Sequence, residues 1–402
     1  MTQSLLKIDV DREIQKLTRN RFKSSTEWAV ALCQYAMGRD CTSLSLQLDA
    51  RSFELRYRGT SVGITDLERL CVIFDEQQSP DARHRAIVAL EEGDSFDLLC
   101  AFYLKNAKVT IVSATGSAVV APRRRPVRRT ETGSLKTVIA IRSGKLKRGP
   151  LEKALRTACR FSPVPVMLND KRISSGHKLE NCFAQRAFEW RGVRGVVGIP
   201  LESDFVRQVT LKHGITVKDS LRQPGFGLLY HTIIDSPKSA LSSADLDEVR
   251  NVVRSLYMEL GKYIEQLESA QRQRALEVLF IRYRETQDVS YVKGVQAFER
   301  VDGNRFTVET LRRLASDGPV YGIHRGTSTE SWNLAGRQVF YLDARQWNFL
   351  EKELGIEITW PSPLSRSGNW RLKKKATNQN GAKKDKPFSK EIRTAAEQLI
   401  LF

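Results

Sequence analysis

Between Thr26 and Leu67 the apolar residues change their period twice. That change dictates a helix, a hairpin and a second helix in this order. Trp28, Ala31, Leu32 and Tyr35 recur at helical spacing and share one face. Thr26 is placed to cap that helix, over roughly Glu27 to Met37. Leu44-Ser-Leu-Gln-Leu-Asp then alternates apolar and polar residues, as a half-buried strand must, and Phe53, Leu55 and Tyr57 do the same after a turn at Asp49 to Ser52. Gly59 and Gly63 open a loop. Thr65-Asp66-Leu67-Glu68 reads as a helix start with acid in its first turn, where it meets the positive end of the helix dipole.

The pattern continues with two further strands, Ala107 to Ala114 and Leu135 to Ile141. Before the first lies a stretch with a single glycine, Gly93, flanked by Glu91, Glu92 and Asp94. Gly133-Ser134 introduces the second strand. Arg160 to Ile173 reads as a Pro-rich strand leading to a tight turn at Asn169-Asp170.

This order of elements resembles the ATPase domain shared by Hsp90, gyrase B, histidine kinases and MutL, the GHKL superfamily. The family's first helix reads E-L-x-x-N-A-x-D-A, followed by a small-residue turn, a strand and a D-x-G-x-G-I loop. The frame aligns without a gap from Ala31 to Leu67, but the residues that the resemblance assigns to chemistry are replaced. Ala31 stands for the general-base Glu, Tyr35 for the Mg²⁺-binding Asn, and Tyr57 for the Asp that binds the adenine amino group. Of the two loop glycines Gly59 remains and Ser61 replaces the other, while Gly93 alone remains of the phosphate-cradling turn. A phenol with a pKa near 10 is a poor base at neutral pH, so neither tyrosine replaces the Glu. The expectation is a degenerate pocket of Ala31, Tyr35, Tyr57, Gly59, Ser61 and Gly93, plugged by the two rings, with no catalytic residue, no cofactor and no metal. The alternative is an ATP-dependent clamp or chaperone that uses ATP and Mg²⁺ through unusual residues.

Downstream, three strands are expected near Arg194 to Leu201, Gln208 to Val217 and Gly227 to Asp235. A helix capped by Ser242 or Ser243 follows, with Leu246, Val249, Val253, Leu256, Leu260, Ile264 and Leu267 keeping a 3–4 spacing. Strands followed by a helix fit the second domain of the family, which resembles ribosomal protein S5. Arg222 or Lys212 are its nominees for a phosphate contact, and no residue is assigned. His213 and His231 read as turn and strand residues. Helical character continues through Gln271 to Arg284. Then come a short helix capped by Thr307, a strand at Val339 to Asp343, a helix from Ala344 to Leu354 ended by Gly355, and a strand at Ile356 to Trp360.

Charge sets the partners. Lys+Arg number 65 against 46 Asp+Glu, a net charge of +19, which favours acidic partners. Arg123, Arg124, Arg125, Arg128 and Arg129 cluster in a Pro-flanked loop expected to project from the sheet as donor forks for phosphates or carboxylates. Residues 366–390 form a basic, low-complexity tail expected to be disordered when free. Trp370 there is available to stack on a base, and Arg371, Lys373, Lys374, Lys375, Lys383, Lys384 and Lys386 to meet phosphates. Residues 391–402 read as a short amphipathic helix. The six cysteines form no C-x-x-C pair and read as reduced thiols of a cytoplasmic protein. No His/Cys cluster has zinc spacing, and no apolar run suits a signal peptide or a membrane span.

The fold expectation is therefore α+β: a Bergerat-type α/β sandwich over 1–175, an S5-like domain over 176–270, a small α+β module over 271–365, the linker and the terminal helix. The expected function is a nucleotide-independent, Hsp90-like pseudo-ATPase scaffold or adaptor. It would bind a protein or nucleic-acid partner without a membrane, as a homodimer or as a subunit of a bacterial stress or antiviral defence assembly. A basic nucleic-acid-binding protein is a further alternative.

Overall fold

A computed structural model describes residues 24–360, apart from 94, 105, 123, 131–133, 202–204, 223–228, 239, 328–335 and the side chain of Glu285. The described residues are mixed α+β and form three sheets. The first described elements are α1 (Glu27–Met37), β1 (Ser43–Leu48) and β2 (Ser52–Arg58). After these come α2 (Ile64–Phe74), α3 (Pro80–Glu92), a 3₁₀ turn at Phe96–Phe102, β3 (Lys108–Ser113), β4 (Gly116–Val120), β5 (Val127–Thr130) and β6 (Thr137–Arg142). The unit ends with α4 (Arg148–Cys159), β7 (Val166–Leu168) and β8 (Lys171–Arg172).

Its eight strands lie in the order β5-β4-β3-β6-β2-β1-β7-β8. The alternation read from the sequence sets the register: Leu44 faces Tyr57, Leu46 faces Leu55 and Leu48 faces Phe53, and all six side chains are buried. A one-residue slip would turn this whole row to solvent, so the register is specified by burial. Each such side chain contributes about 1.5–3 kcal/mol of transfer free energy. On the far side β2 pairs with β6, Tyr57 opposite Thr137, and β1 runs parallel to β7.

Two expectations change here. The helix α1 is buried nearly all round rather than along one stripe, because β1, β2, the 3₁₀ turn, α4 and a strand of the second sheet all touch it. Thr26 sits at its N-cap position but makes no side-chain cap bond. The basic segment is only partly a loop: Arg128 and Arg129 lie on β5, which pairs with β4 as the exposed edge of the sheet.

The second sheet holds β9 (Cys182–Trp190), β10 (Val193–Pro200), β11 (Val206–Lys212), β12 (Ile215–Arg222) and β13 (His231–Asp235) in the order β12-β11-β13-β10-β9. The helix α5 (Ser243–Tyr263) starts with a capping box, Ser242 with Asp245, and packs on β9 and β10 through Val249, Val253, Leu256, Tyr257 and Leu260. It stops short of the expected end: a 3₁₀ turn at Ile264–Gln266 breaks the chain before α6 (Ser269–Thr286), and Leu246, expected on the apolar stripe, is 37% exposed.

The third sheet is β14 (Phe298–Arg300), β15 (Arg305–Phe306), β16 (Val320–Ile323), β17 (Gln338–Tyr341) and β18 (Ile358–Thr359), ordered β15-β14-β17-β16-β18. Its helices are α7 (Val308–Asp317), capped by the Thr307 hydroxyl as expected, and α8 (Ala344–Asn348), which widens into a π turn at Phe349–Glu353. Phe280, Tyr283, Phe298 and Phe349 pack in tilted and edge-on pairs at its centre. The second and third sheets share one continuous core from Val193 to Ile358. Among the described residues no helix is long and apolar enough to cross a membrane, and all six cysteines are free thiols.

Candidate functional site

The residues singled out by the sequence meet where α1, the end of β2, the 59–63 loop and the start of α2 converge. Ala31 and Tyr35 point inward from α1 and are 8% and 4% exposed; Tyr57, at the end of β2, is 1% exposed. The Tyr57 hydroxyl donates to the Thr60 carbonyl at 3.3 Å. The hydroxyls of Tyr35 and Thr137 lie near it, yet both are buried with no hydrogen-bond partner among the described residues. Burial, reinforced by the neighbouring Tyr57, pushes the Tyr35 phenol far above its ordinary range, and burial raises Tyr57 as well. Both stay neutral at any physiological pH.

Gly59 is required by a close approach: a Cβ there would stand 2.4 Å from the Arg39 carbonyl oxygen. The loop is tied to that same carbonyl by the Thr60 N–H at 2.7 Å. Ser61 is half-buried beside it. Gly93 closes α3 and carries the Arg69 guanidinium 3.5 Å from where a Cβ would be. Glu91 and Glu92 are exposed around it, and Asp94 lies outside the described residues.

A polar network missed by the sequence reading covers this cluster. Arg39 Nη2 donates to Ser95 Oγ at 2.5 Å, and Ser95 Oγ donates to Asp66 Oδ2 at 2.6 Å. Arg69 Nη1 donates to Asp66 Oδ1 at 3.1 Å, and the Arg39 guanidinium lies over the Tyr35 ring at 4.9 Å. The sequence showed Asp66 only as a first-turn acid. Nothing in local spacing ties Arg39 to Ser95, which come from different parts of the chain. Among the described residues no group of His, Cys, Asp and Glu side chains is arranged to hold a metal ion.

The basic cluster is partly spent on the protein itself. Arg128 pairs with Glu68, and Arg125 Nε lies 3.4 Å from Asp75 Oδ2. Asp75 is held below the usual carboxylate range, first by the Gln77 N–H and then by Gln78 and Arg125, against its desolvation. Arg124 and Arg129 are exposed. Arg123, and all of Trp370, Arg371, Lys373, Lys374, Lys375, Lys383, Lys384 and Lys386, lie outside the described residues.

The chain matches no protein-family model and no curated protein. Solved structures similar to it include the 43K ATPase domain of Thermus thermophilus gyrase B in complex with an aminocoumarin. That likeness is 11% identical with a TM-score of 0.42, over 69% of this chain and 98% of that one. Another is the ATPase domain of the mismatch repair endonuclease MutL of Aquifex aeolicus, 10% identical with a TM-score of 0.34, over 58% of this chain and 98% of that one.

Proposed function

We propose that this chain is a nucleotide-independent scaffold or adaptor built on a GHKL-like frame. The observation that supports it is the burial of Tyr35 and Tyr57 where the resemblance would place amide and carboxylate contacts to Mg²⁺ and adenine. ATP·Mg²⁺ does not suit these residues. Two neutral phenols supply no metal ligand, Ala31 supplies no base, and Arg39 and Asp66 answer each other through Ser95. An arginine already tied to a hydroxyl and an aromatic face would have to break those contacts to reach a phosphate. The partner is a protein or nucleic acid, met through basic surfaces on a stable platform rather than through a nucleotide-driven cycle.

Calorimetry with ATP·Mg²⁺ tests the reading, with thermal shift alongside. No heat and no stabilisation at millimolar nucleotide is the expected result. Saturable micromolar binding would overturn it and make the ATP-driven clamp the first reading.

A nucleic-acid partner is favoured by one specific feature, the exposed Arg124 in the loop before β5 and the exposed Arg129 on the β5 edge. Binding through phosphates falls steeply with salt. An oligonucleotide affinity that ignores salt, or that survives Arg124→Gln with Arg129→Gln and removal of residues 366–402, would remove this version.

A further inference from the structure

A second basic site lies where the N-terminal unit gives way to the second sheet. Arg160 and Phe161 follow α4, Lys178 to Asn181 belong to the connecting segment, and Arg207, Leu221 and His231 come from β11, β12 and β13. Together they line an open cavity of about 290 Å³, close to the lower end of small-molecule sites.

Phe161 organises it. The guanidinium carbons of Arg160 and Arg207 both lie over its ring, each 5.2 Å from the centroid. Each arginine is also oriented by a carboxylate. Arg160 Nη2 donates to both Glu180 oxygens at 3.0 and 2.9 Å, and Arg207 makes a forked pair with Asp219 at 3.1 and 2.7 Å. A guanidinium has five N–H donors, so both retain donors beyond these pairs. Lys178 has no ion-pair partner among the described residues.

His231 completes the donor set. Its Nδ1 accepts the Arg207 backbone N–H at 3.0 Å, which leaves the proton of the neutral ring on Nε2.

We propose that this cavity binds the phosphate group of a small phosphorylated molecule, through Lys178, Arg207 and the Nε2–H of His231. Planar guanidinium forks and a point-charge ammonium are the donors phosphate recognition uses. Glu180 in the lining and Asp219 beside it oppose a continuous polyanionic strand and favour a single compact anion. Arg160 and Phe161 come from the N-terminal unit and Arg207 and His231 from the second sheet, so the cavity sits where the two meet.

The test titrates the full chain at constant ionic strength with inorganic phosphate, pyrophosphate and a short oligothymidylate. The expected result is saturable pyrophosphate binding with a raised melting temperature, weakened at least tenfold by Lys178→Glu and by Arg207→Gln but unchanged by Lys153→Gln, at an exposed cation on α4. Lys178 is exposed and has no ion-pair partner among the described residues, so Lys178→Glu keeps the test valid if Arg207→Gln loosens the β11–β12 pair. Three results each overturn the proposal. One is no saturable binding of phosphate or pyrophosphate. Another is equal weakening by Lys153→Gln. The third is a Lys178-dependent oligothymidylate affinity above that for pyrophosphate, which would assign the site to nucleic acid.

Discussion

The Arg39 guanidinium stands over the Tyr35 ring at 4.9 Å while its Nη2 holds the Ser95 hydroxyl, which in turn holds Asp66. One cation thus joins the end of α1 to the start of α2 and to the segment that follows α3. The ring beneath it is fixed from above by a partly desolvated cation, a contact worth about 1–2 kcal/mol. The ring is fixed from the side by its own burial, yet its hydroxyl has no hydrogen-bond partner among the described residues.

That orphaned hydroxyl makes Tyr35→Phe a sharp probe. Deleting a buried, unpartnered O–H removes a desolvation penalty and leaves the ring and its cation contact in place. The variant should gain about 1 kcal/mol of stability, or lose nothing. Urea unfolding with an unchanged m-value checks it. A loss above about 1 kcal/mol would mean that the hydroxyl is satisfied by an ordered water or a ligand, and would count against the plugged pocket.

Asp66 should matter in the opposite sense. It accepts from Ser95 and Arg69 at the buried start of α2. Asp66→Asn leaves Arg39 and Arg69 facing a neutral amide, at a cost of about 2 kcal/mol, while Asp66→Glu should recover little because Ser95 fixes the distance. Both arginines retain some solvent exposure, so a cost below about 0.5 kcal/mol would show that water screens the network as it does surface pairs.

How much of this was legible follows from distance along the chain. The β1–β2 register was legible because Leu44, Leu46, Leu48, Phe53, Leu55 and Tyr57 alternate, and alternation has only one register that buries them all. The wrap around α1 was not, because the 3₁₀ turn, α4 and β12 that cover its outer side come from far downstream. The edge strand β5 carries no apolar alternation at all. All four residues are exposed, and only backbone bonds to β4 make Arg128 and Arg129 a strand. β9 escaped for a similar reason: none of its nine side chains is fully buried, so it shows no clean period of two. The candidate pocket positions were legible as a frame, whereas the Arg39–Ser95–Asp66 chain depends on tertiary neighbours that no local pattern encodes.

Gly59 should tolerate nothing larger. Its φ is not in the left-handed region, so the demand is purely spatial: a Cβ would sit 2.4 Å from the Arg39 carbonyl and 3.1 Å from the Asp40 carbonyl and the Cys41 Cα, all of them backbone. Gly59→Ala must push the loop away from the end of α1, at an overpacking cost of about 1–3 kcal/mol. Gly144→Ala is the control, since a Cβ there meets nothing within 4 Å. Equal melting temperatures for the two variants would show that the loop moves freely and does not brace the site.

The response to acid should come in two stages. His213 is held below the ordinary imidazole range, first by burial and then by Lys212 and Arg194, against the pull of Asp235 and Asp97; His231 is lowered by burial and by Arg207. The folded state therefore binds fewer protons than the unfolded chain at these two rings, and stability rises with pH. It is complete above the unfolded value near 6.5 and declines as pH falls below it. Asp235 follows later. Burial raises its carboxyl, but His177, the Gly214 N–H and Arg194 outweigh this and lower it. Its contribution is present above an unfolded value of about 3.9 and is lost as pH falls through the folded one. His213 sits in a left-handed turn at φ 52, a conformation asparagine accepts, so His213→Asn removes one titration without straining the backbone. The melting temperature of the variant should fall less than that of the parent between about pH 7 and pH 5, and the two curves should run parallel below about pH 4, where the carboxylate takes over. Parallel curves through the upper window would show that the turn carries no proton linkage between the second sheet and α1.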